Sequence, residues 1–186
     1  ALVRCPYSHA KVLSIDVSEA EKVPGFLGCA LPEEAPQAYF NCSGNPPSPL
    51  LMADEKVLTT EPLTIGDRVA VVAAETEEAA RAAAEAVKVE YENLTPILDV
   101  KAALADNAPA MQPHLSDTNV VQRREVSQGD IAAGEEKSDI ILEDHFVTPP
   151  MQHTMIELTC CICDFSDGEH MTIYSCSQTV FQERRI

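Results

Sequence analysis

Alternation of apolar and polar side chains predicts two strands near the start of the chain. Residues 11–17 alternate apolar with polar positions, and residues 26–31 form an apolar segment. Period-two alternation is typical of a strand with one face on a core and the other in solvent. Between these strands, Ser18 is predicted to cap a short acidic helical turn that ends at Pro24.

The clearest pattern predicts a strand, a helix and a second strand in succession. Residues 69–74 are continuously apolar, which indicates a strand buried on both faces. Thr76 is placed to cap the Ala-rich helix over residues 79–86, and residues 87–92 then alternate apolar with charged side chains. A right-handed crossover is expected if the two strands are parallel and share a sheet.

The remaining chain predicts a loop, a short helix and a linker. Residues 32–50 are rich in proline, which disfavours regular strand or helix and predicts an ordered surface loop, with a ligand for Pro-binding modules as the alternative. Asp99 is predicted to cap a helix over residues 100–105. The polar character of residues 106–130 indicates a linker.

A second unit is predicted to begin near Ile131. It should contain a strand over residues 139–146, an extended apolar segment over 155–165 and a last strand over 171–175. Asp167-Gly168 is a turn signal between the last two segments.

Charge and cysteine content narrow the function classes. The formal net charge is -17, so nucleic acid and anionic membranes are disfavoured as partners. No apolar segment is long enough to span a membrane. The 7 cysteines are odd in number and irregularly spaced, which favours reduced thiols and a cytoplasmic location over a secreted disulfide framework.

The two ends of the chain suggest a tag scar or an excised fragment of a longer protein. The sequence starts at Ala1 with no initiator Met and no signal peptide. It ends at Ile186 in what reads as the opening of a helix, without a Gly or Pro stop signal.

Familiar site motifs are missing from the sequence. It has no phosphate-binding glycine loop, no H-E-x-x-H, and no G-x-S-x-G context around Ser43. Asp67 and Asp130 each follow a glycine and are interpreted as turn residues rather than general bases.

A group of ligand-type residues in the second half raises the question of a metal site. It consists of His145, His153, Glu157, Cys160, Cys161 and Cys163. On an extended chain, His153 and Glu157 would lie roughly 13 Å apart, too far to chelate one ion. C-C-x-C also lacks the spacing of ordinary zinc or iron–sulfur ligands. We therefore predict no metal ligands and interpret the cysteines as buried thiols on a core strand.

Taken in order, many short segments resemble the molybdenum hydroxylases, the family of xanthine dehydrogenase and aldehyde oxidase. No single segment is specific, but their order and spacing together are. The matching segments are residues 4–10, 15–16, 23–26, 50–53 with Val57, 65–76, 89–94, 129–130 with Ala132, Phe146 with Thr148-Pro149, and 172–178, together with His153, Glu157 and Asp167-Gly168.

The resemblance implies an α+β fold and an enzyme fragment. The expected fold is an α/β-hammerhead domain over residues 1–106, a linker over 107–130, and the truncated start of a molybdopterin-binding domain over 131–186. The implied whole protein hydroxylates an aldehyde or an N-heterocycle, xanthine-like, with oxygen taken from water. It would carry a molybdopterin-molybdenum cofactor, with 2Fe-2S clusters and FAD on partner domains or subunits.

One residue of this chain is assigned to the cofactor by the resemblance. The family's glutamine near the molybdenum ligands corresponds to Gln178, whose amide can donate a hydrogen bond without adding charge. A polar residue at a strand end is the alternative interpretation of Gln178. The family's glycine-rich pterin loops and catalytic Glu lie further along. We therefore assign no catalytic residue, and expect the fragment to be inactive and to expose apolar surface.

Departures from the family leave two other hypotheses open. Residues 153–158 differ from the family's H-A-x-M-E-P, Cys176 replaces a common Ser or Thr, and Thr179 departs from the usual continuation. The second hypothesis is a non-catalytic module that docks iron–sulfur and flavin subunits. The third is a Cys-rich metal or redox protein. The sequence also allows a homo-oligomer and identifies neither the substrate nor the electron acceptor.

Overall fold

A computed structural model describes residues 1–41 and 52–184, without the side chain of Gln182. The predicted loop over residues 32–50 and the segment 50–53 therefore lie partly outside the described residues, and Cys42 and Ser43 lie wholly outside them. The chain divides into two compact units, one of residues 1–122 together with 182–184, and one of residues 123–181. Helices and strands of both units give an α+β fold, as predicted.

One strand organises the first unit. Strand β4 (Arg68–Ala74) lies between β1 (Leu2–Arg4) and β3 (Phe26–Ala30), and it pairs antiparallel with both. Within β4, Val69 and Ala70 are 0% exposed. Because neighbouring residues in a strand point to opposite faces, this confirms that the strand is buried on both faces.

Helix α1 (Glu77–Ala86) follows this strand and packs close to it. The Thr76 side chain accepts a hydrogen bond from the amide of Ala79 at 3.1 Å, which confirms the predicted cap. Ala80 and Ala83 form the buried face of the helix. Their small side chains allow the helix backbone to approach the sheet.

The strand after the helix joins a different sheet. Strand β5 (Lys88–Asn93) pairs antiparallel with β2 (Ala10–Asp16), so β4 and β5 share no sheet and the condition for a crossover is not met. The physical reason is that both edges of β4 are already occupied by β1 and β3. Strand β2 also donates backbone hydrogen bonds to the segment 60–62, from the amides of Ala10 and Val12 to the carbonyls of Pro62 and Thr60.

Several local predictions need correction. Ser18 does not cap the short 3-10 turn Ala20–Lys22; its amide instead donates to the Asp16 carboxylate at 2.9 Å. Pro32 does not exclude helical structure, since it begins a 3-10 turn, Pro32–Glu34. The first residue of a helix needs no amide hydrogen for an intrahelical hydrogen bond, so proline is tolerated at that position.

Two aspartates behave as predicted from turn chemistry. The Asp67 carboxylate accepts the amides of Leu63 and Thr64 at 2.7 and 3.0 Å. Helix α2 (Val100–Ala103) begins after Asp99, whose carboxylate accepts the Ala102 amide at 2.8 Å. The predicted cap is confirmed, although the helix ends two residues earlier than predicted.

The second unit has little regular structure. Helix α3 (Ile131–Glu136) begins after Asp130, which accepts the Ala133 amide. Strands β6 (Cys161–Asp164) and β7 (Thr172–Ser175) form an antiparallel hairpin, and a short helix α4 (Val180–Glu183) follows. The predicted strand over residues 139–146 is wrong, since those residues have no regular secondary structure. An apolar pattern alone does not make a strand where no neighbouring strand pairs with it.

The hydrophobic core lies in the first unit. Every buried apolar residue among those that the structure describes falls within residues 3–87. Between residues 123 and 181, only Ala133 and Ser177 are even half-buried. Large apolar side chains of this unit are exposed, among them Phe146 and Ile156, so the expected exposed apolar surface is present.

A substitution at the helix–sheet contact tests this packing. Ala83→Leu should lower the free energy of unfolding by roughly 1–3 kcal/mol, because Ala83 is 0% exposed and a larger side chain would have to displace its core neighbours. The matched control is Ala82→Leu on the exposed side of the same helix, which should change stability by less than about 0.5 kcal/mol. Urea unfolding measures both, and equal effects of the two variants would contradict the packing.

A second test uses pH. Burial, and then the neighbouring Cys5, raise the pKa of Tyr91 to about 12. An unfolded tyrosine ionises near pH 10, so the folded state favours the neutral phenol. The resulting stabilisation is complete below about pH 10 and is lost as the pH rises toward about 12. Unfolding free energies across this window should fall less steeply for Tyr91→Phe than for the parent chain; identical slopes would rule out this contribution.

Candidate functional site

Gln178 lies three positions beyond the end of β7, the last strand of the second unit. It is separated from β7 by Cys176 and Ser177, and the Thr179 amide donates to the Ser177 hydroxyl at 3.0 Å. The Gln178 side chain is exposed and has no hydrogen-bond partner in residues 1–41 and 52–184. Its amide is therefore available to an outside group as donor and acceptor.

The hairpin that carries Gln178 has a well-defined turn. Cys161 is paired with Ser175, and the register continues to Asp164 paired with Thr172. At the turn, the Asp167 carboxylate accepts the amides of Glu169 and His170 at 2.9 and 2.8 Å. The hydrogen bond from His170 is the largest of the causes that lower the pKa of Asp167. Gly168 has φ of 71°, a conformation that favours glycine.

Four cysteines of the hairpin are exposed: Cys160, Cys161, Cys163 and Cys176. The prediction of buried thiols on a core strand is therefore wrong, because a two-stranded sheet leaves both faces uncovered unless another layer packs on it.

Cys176 is the anchored thiol of this group. Its sulfur accepts a hydrogen bond from the Cys160 amide at 3.3 Å, and its thiol lies within donating distance of the Cys160 and Leu158 carbonyls at 3.5 and 3.7 Å. Cys161 and Cys163 lie together instead, with their Sγ atoms 3.9 Å apart. The sequence analysis missed this approach, although the i, i+2 spacing on a strand was a sufficient signal.

The ligand-type residues of the second unit do not converge. Within the described ranges, no three His, Cys, Asp or Glu side chains are grouped so that they could hold a metal ion. His145, His153 and Glu157 are each exposed on segments without regular structure.

The first unit contains a polar cavity that no sequence motif indicated. It has a volume of about 430 Å³ and is lined by both acidic and basic side chains. The Tyr39 ring stacks on His114 with centroids 3.7 Å apart, and the Lys56 ammonium lies 4.9 Å from the Tyr39 centroid. The Gln112 Oε1 atom is buried without a hydrogen-bond partner among the residues described.

Comparison with known families assigns both halves of the chain. A family described as "Aldehyde oxidase and xanthine dehydrogenase, a/b hammerhead domain" matches residues 1–95. The chain belongs to the aldehyde oxidase and xanthine dehydrogenase family. A second match, to a molybdopterin cofactor-binding domain, covers residues 113–186. The hammerhead fold and family membership predicted from the sequence are thus confirmed.

Curated relatives in this family are much longer than the chain. It is 30% identical over 188 residues to the xanthine dehydrogenase molybdenum-binding subunit of Escherichia coli O157:H7, covering 99% of the chain and 25% of that protein. It is 29% identical over 182 residues to the nicotinate dehydrogenase large molybdopterin subunit of Eubacterium barkeri, covering 97% of the chain and 40% of that protein. The chain thus corresponds to a partial segment of these enzymes.

A solved structure supports the fold over nearly the whole chain. The aldehyde oxidoreductase from Desulfovibrio gigas matches with a TM-score of 0.82 and 28% identity, covering 95% of this chain and 20% of that one. Among the helices of residues 1–41 and 52–184, none is both long and apolar enough to cross a membrane.

Proposed function

We propose that this chain is a segment of a molybdenum-dependent oxidoreductase that hydroxylates an aldehyde or a xanthine-like N-heterocycle with oxygen from water. The observation that carries the proposal is the succession of two family matches, a hammerhead domain and then a molybdopterin cofactor-binding domain. The relatives named as xanthine dehydrogenase and nicotinate dehydrogenase subunits support this substrate class.

The described residues fit a supporting contact to the cofactor rather than direct ligation of its metal. In the part of the chain that the structure describes, no three ligand-type side chains converge. The exposed Gln178 amide offers one neutral donor and one neutral acceptor at a strand end. A neutral amide can orient an oxygen without changing the charge of the centre.

The role proposed for Gln178 is therefore positioning. When bound, the molybdenum cofactor supplies the oxygen taken from water and accepts electrons from the substrate carbon. Gln178 would donate from Nε2 to the cofactor, and the short turn at Ser177 fixes where its backbone leaves β7. No residue of this chain is proposed as the catalytic base.

Further parts of the proposal concern the whole protein. The chain alone would be inactive, because it supplies one amide and no base. Iron–sulfur and flavin domains or subunits would carry the electrons away, and self-association is compatible with the exposed apolar surface. We retain domain boundaries at residues 1–106 and 131–186 with a linker between them. A cytoplasmic location is also proposed, because the 7 irregularly spaced cysteines do not match a secreted disulfide framework.

Substitution of Gln178 tests its role in the complete, cofactor-loaded enzyme. Gln178→Ala should lower kcat with an aldehyde or N-heterocycle roughly 10–100-fold, because the amide that orients the cofactor is lost. It should also alter the electron paramagnetic resonance signal of the partly reduced metal. Gln128→Ala, at another exposed glutamine of the same unit, is the matched control and should leave both readouts unchanged. Wild-type turnover and an unchanged signal for Gln178→Ala would refute the assignment.

A further inference from the structure

The two family matches meet inside the first unit of the structure. The hammerhead match ends at residue 95, and the molybdopterin cofactor-binding match begins at residue 113. Residues 113–122 therefore belong to the second match and also to the first compact unit. They form neither helix nor strand, so no ladder of regular backbone hydrogen bonds holds them in place. Their side chains must supply the contacts that do.

Asn119 joins three backbone groups through one side-chain amide. Its Nδ2 donates to the carbonyls of Ala103 and Pro109 at 3.1 and 2.9 Å, and its Oδ1 accepts the Met111 amide at 2.8 Å. Carbonyls only accept and backbone amides only donate, so these partners fix the orientation of the side chain. Ala103 ends helix α2, where a carbonyl has no partner within the helix. The half-buried Asn119 supplies that missing hydrogen bond.

His114 reaches the hammerhead match from the same segment. Its ring stacks on Tyr39 with centroids 3.7 Å apart and planes 12° from parallel. Its Nε2 lies 3.1 Å from the Ala53 carbonyl, and because a carbonyl only accepts, Nε2 carries the hydrogen. Tyr39 and Ala53 both lie within residues 1–95, so His114 contacts the hammerhead match at two points.

We propose that His114 and Asn119 form an interdomain clasp, which docks the start of the molybdopterin cofactor-binding match on the hammerhead domain. His114 holds the segment against Tyr39 and Ala53, and Asn119 ties it back to the end of α2. The segment 111–119 is thus fixed at both of its ends. The part of the predicted linker that it occupies is a docked segment rather than a free spacer.

The chemistry of the clasp requires a neutral amide at position 119. An aspartate there would keep an acceptor for the Met111 amide. It would also place a negative charge against the carbonyls of Ala103 and Pro109, to which it has nothing to donate. Asn119→Asp therefore separates the donor half of the clasp from its size and shape. The clasp involves no cofactor, so its test is independent of the role proposed for Gln178.

Hydrogen exchange followed by mass spectrometry tests the clasp in the complete enzyme. Asn119→Ala should raise exchange rates in peptides that span residues 109–120 roughly 10-fold or more, because the hydrogen bonds of the amide are lost. Asn119→Asp should raise them too, because it loses both donors. The matched control is Asn107→Ala, at an exposed position just before the segment, which should leave these rates unchanged. Peptides over β4 should keep wild-type exchange in every variant.

Substitutions of His114 test the second contact. His114→Phe keeps a ring for Tyr39 but loses the hydrogen bond to Ala53, whereas His114→Ala loses both. Exchange over residues 109–120 should therefore rise from the wild type to His114→Phe and again to His114→Ala.

Three results would overturn the clasp. The first is a segment 109–120 that exchanges as fast as an unstructured chain in the unsubstituted enzyme, and this measurement needs no variant that might fail to fold. The second is exchange in Asn119→Ala and Asn119→Asp that equals that of Asn107→Ala. The third is acceleration over β4 as large as that over the segment, which would mean that the variants loosen the whole unit.

Discussion

The burial of β4 is the constraint on which the first unit depends. Val69 and Ala70 are 0% exposed and Val72 is 2% exposed, so both faces of this strand are covered. Both of its edges are also paired, with β1 and β3. Full burial of a valine contributes roughly 1.5–3 kcal/mol relative to an exposed one, so Val69 and Val72 each stabilise the fold substantially. Because no edge of β4 is left, β5 must pair elsewhere, and the second sheet with β2 follows.

The parts of the fold that the sequence predicts well are those set by local chemistry. The continuous apolar segment predicts strand β4 from adjacent residues alone, and the Thr76 cap depends on an amide three residues away. The structure contains both where the sequence predicts them. The sheet to which β5 belongs was not predictable, because it depends on pairing between residues far apart in the sequence. Strands β1 and β3 occupy both edges of β4. The strand expected at residues 139–146 failed for a related reason: its apolar side chains find no covering layer in residues 123–181.

The features of the candidate site were also not predictable from local sequence patterns. Gln178 was identified through resemblance, because no periodicity or spacing distinguishes a functional amide from a polar residue at a strand end. The exposed state of Cys161 and Cys163 could not be read from the sequence, where a run of apolar and cysteine residues looks like core. The extended segment predicted over residues 155–165 already places both side chains on one face, whereas their 3.9 Å separation comes from the structure.

Native-state hydrogen exchange tests the central claim, that β4 anchors the only core in the described part of the chain. The account predicts that the amides of Val69, Ala70 and Val72 exchange only through global unfolding and are the most protected. Amides of β6 and β7 should exchange orders of magnitude faster, because little buried surface holds their hairpin closed. Equal protection of the two regions, or faster exchange in β4, would contradict it.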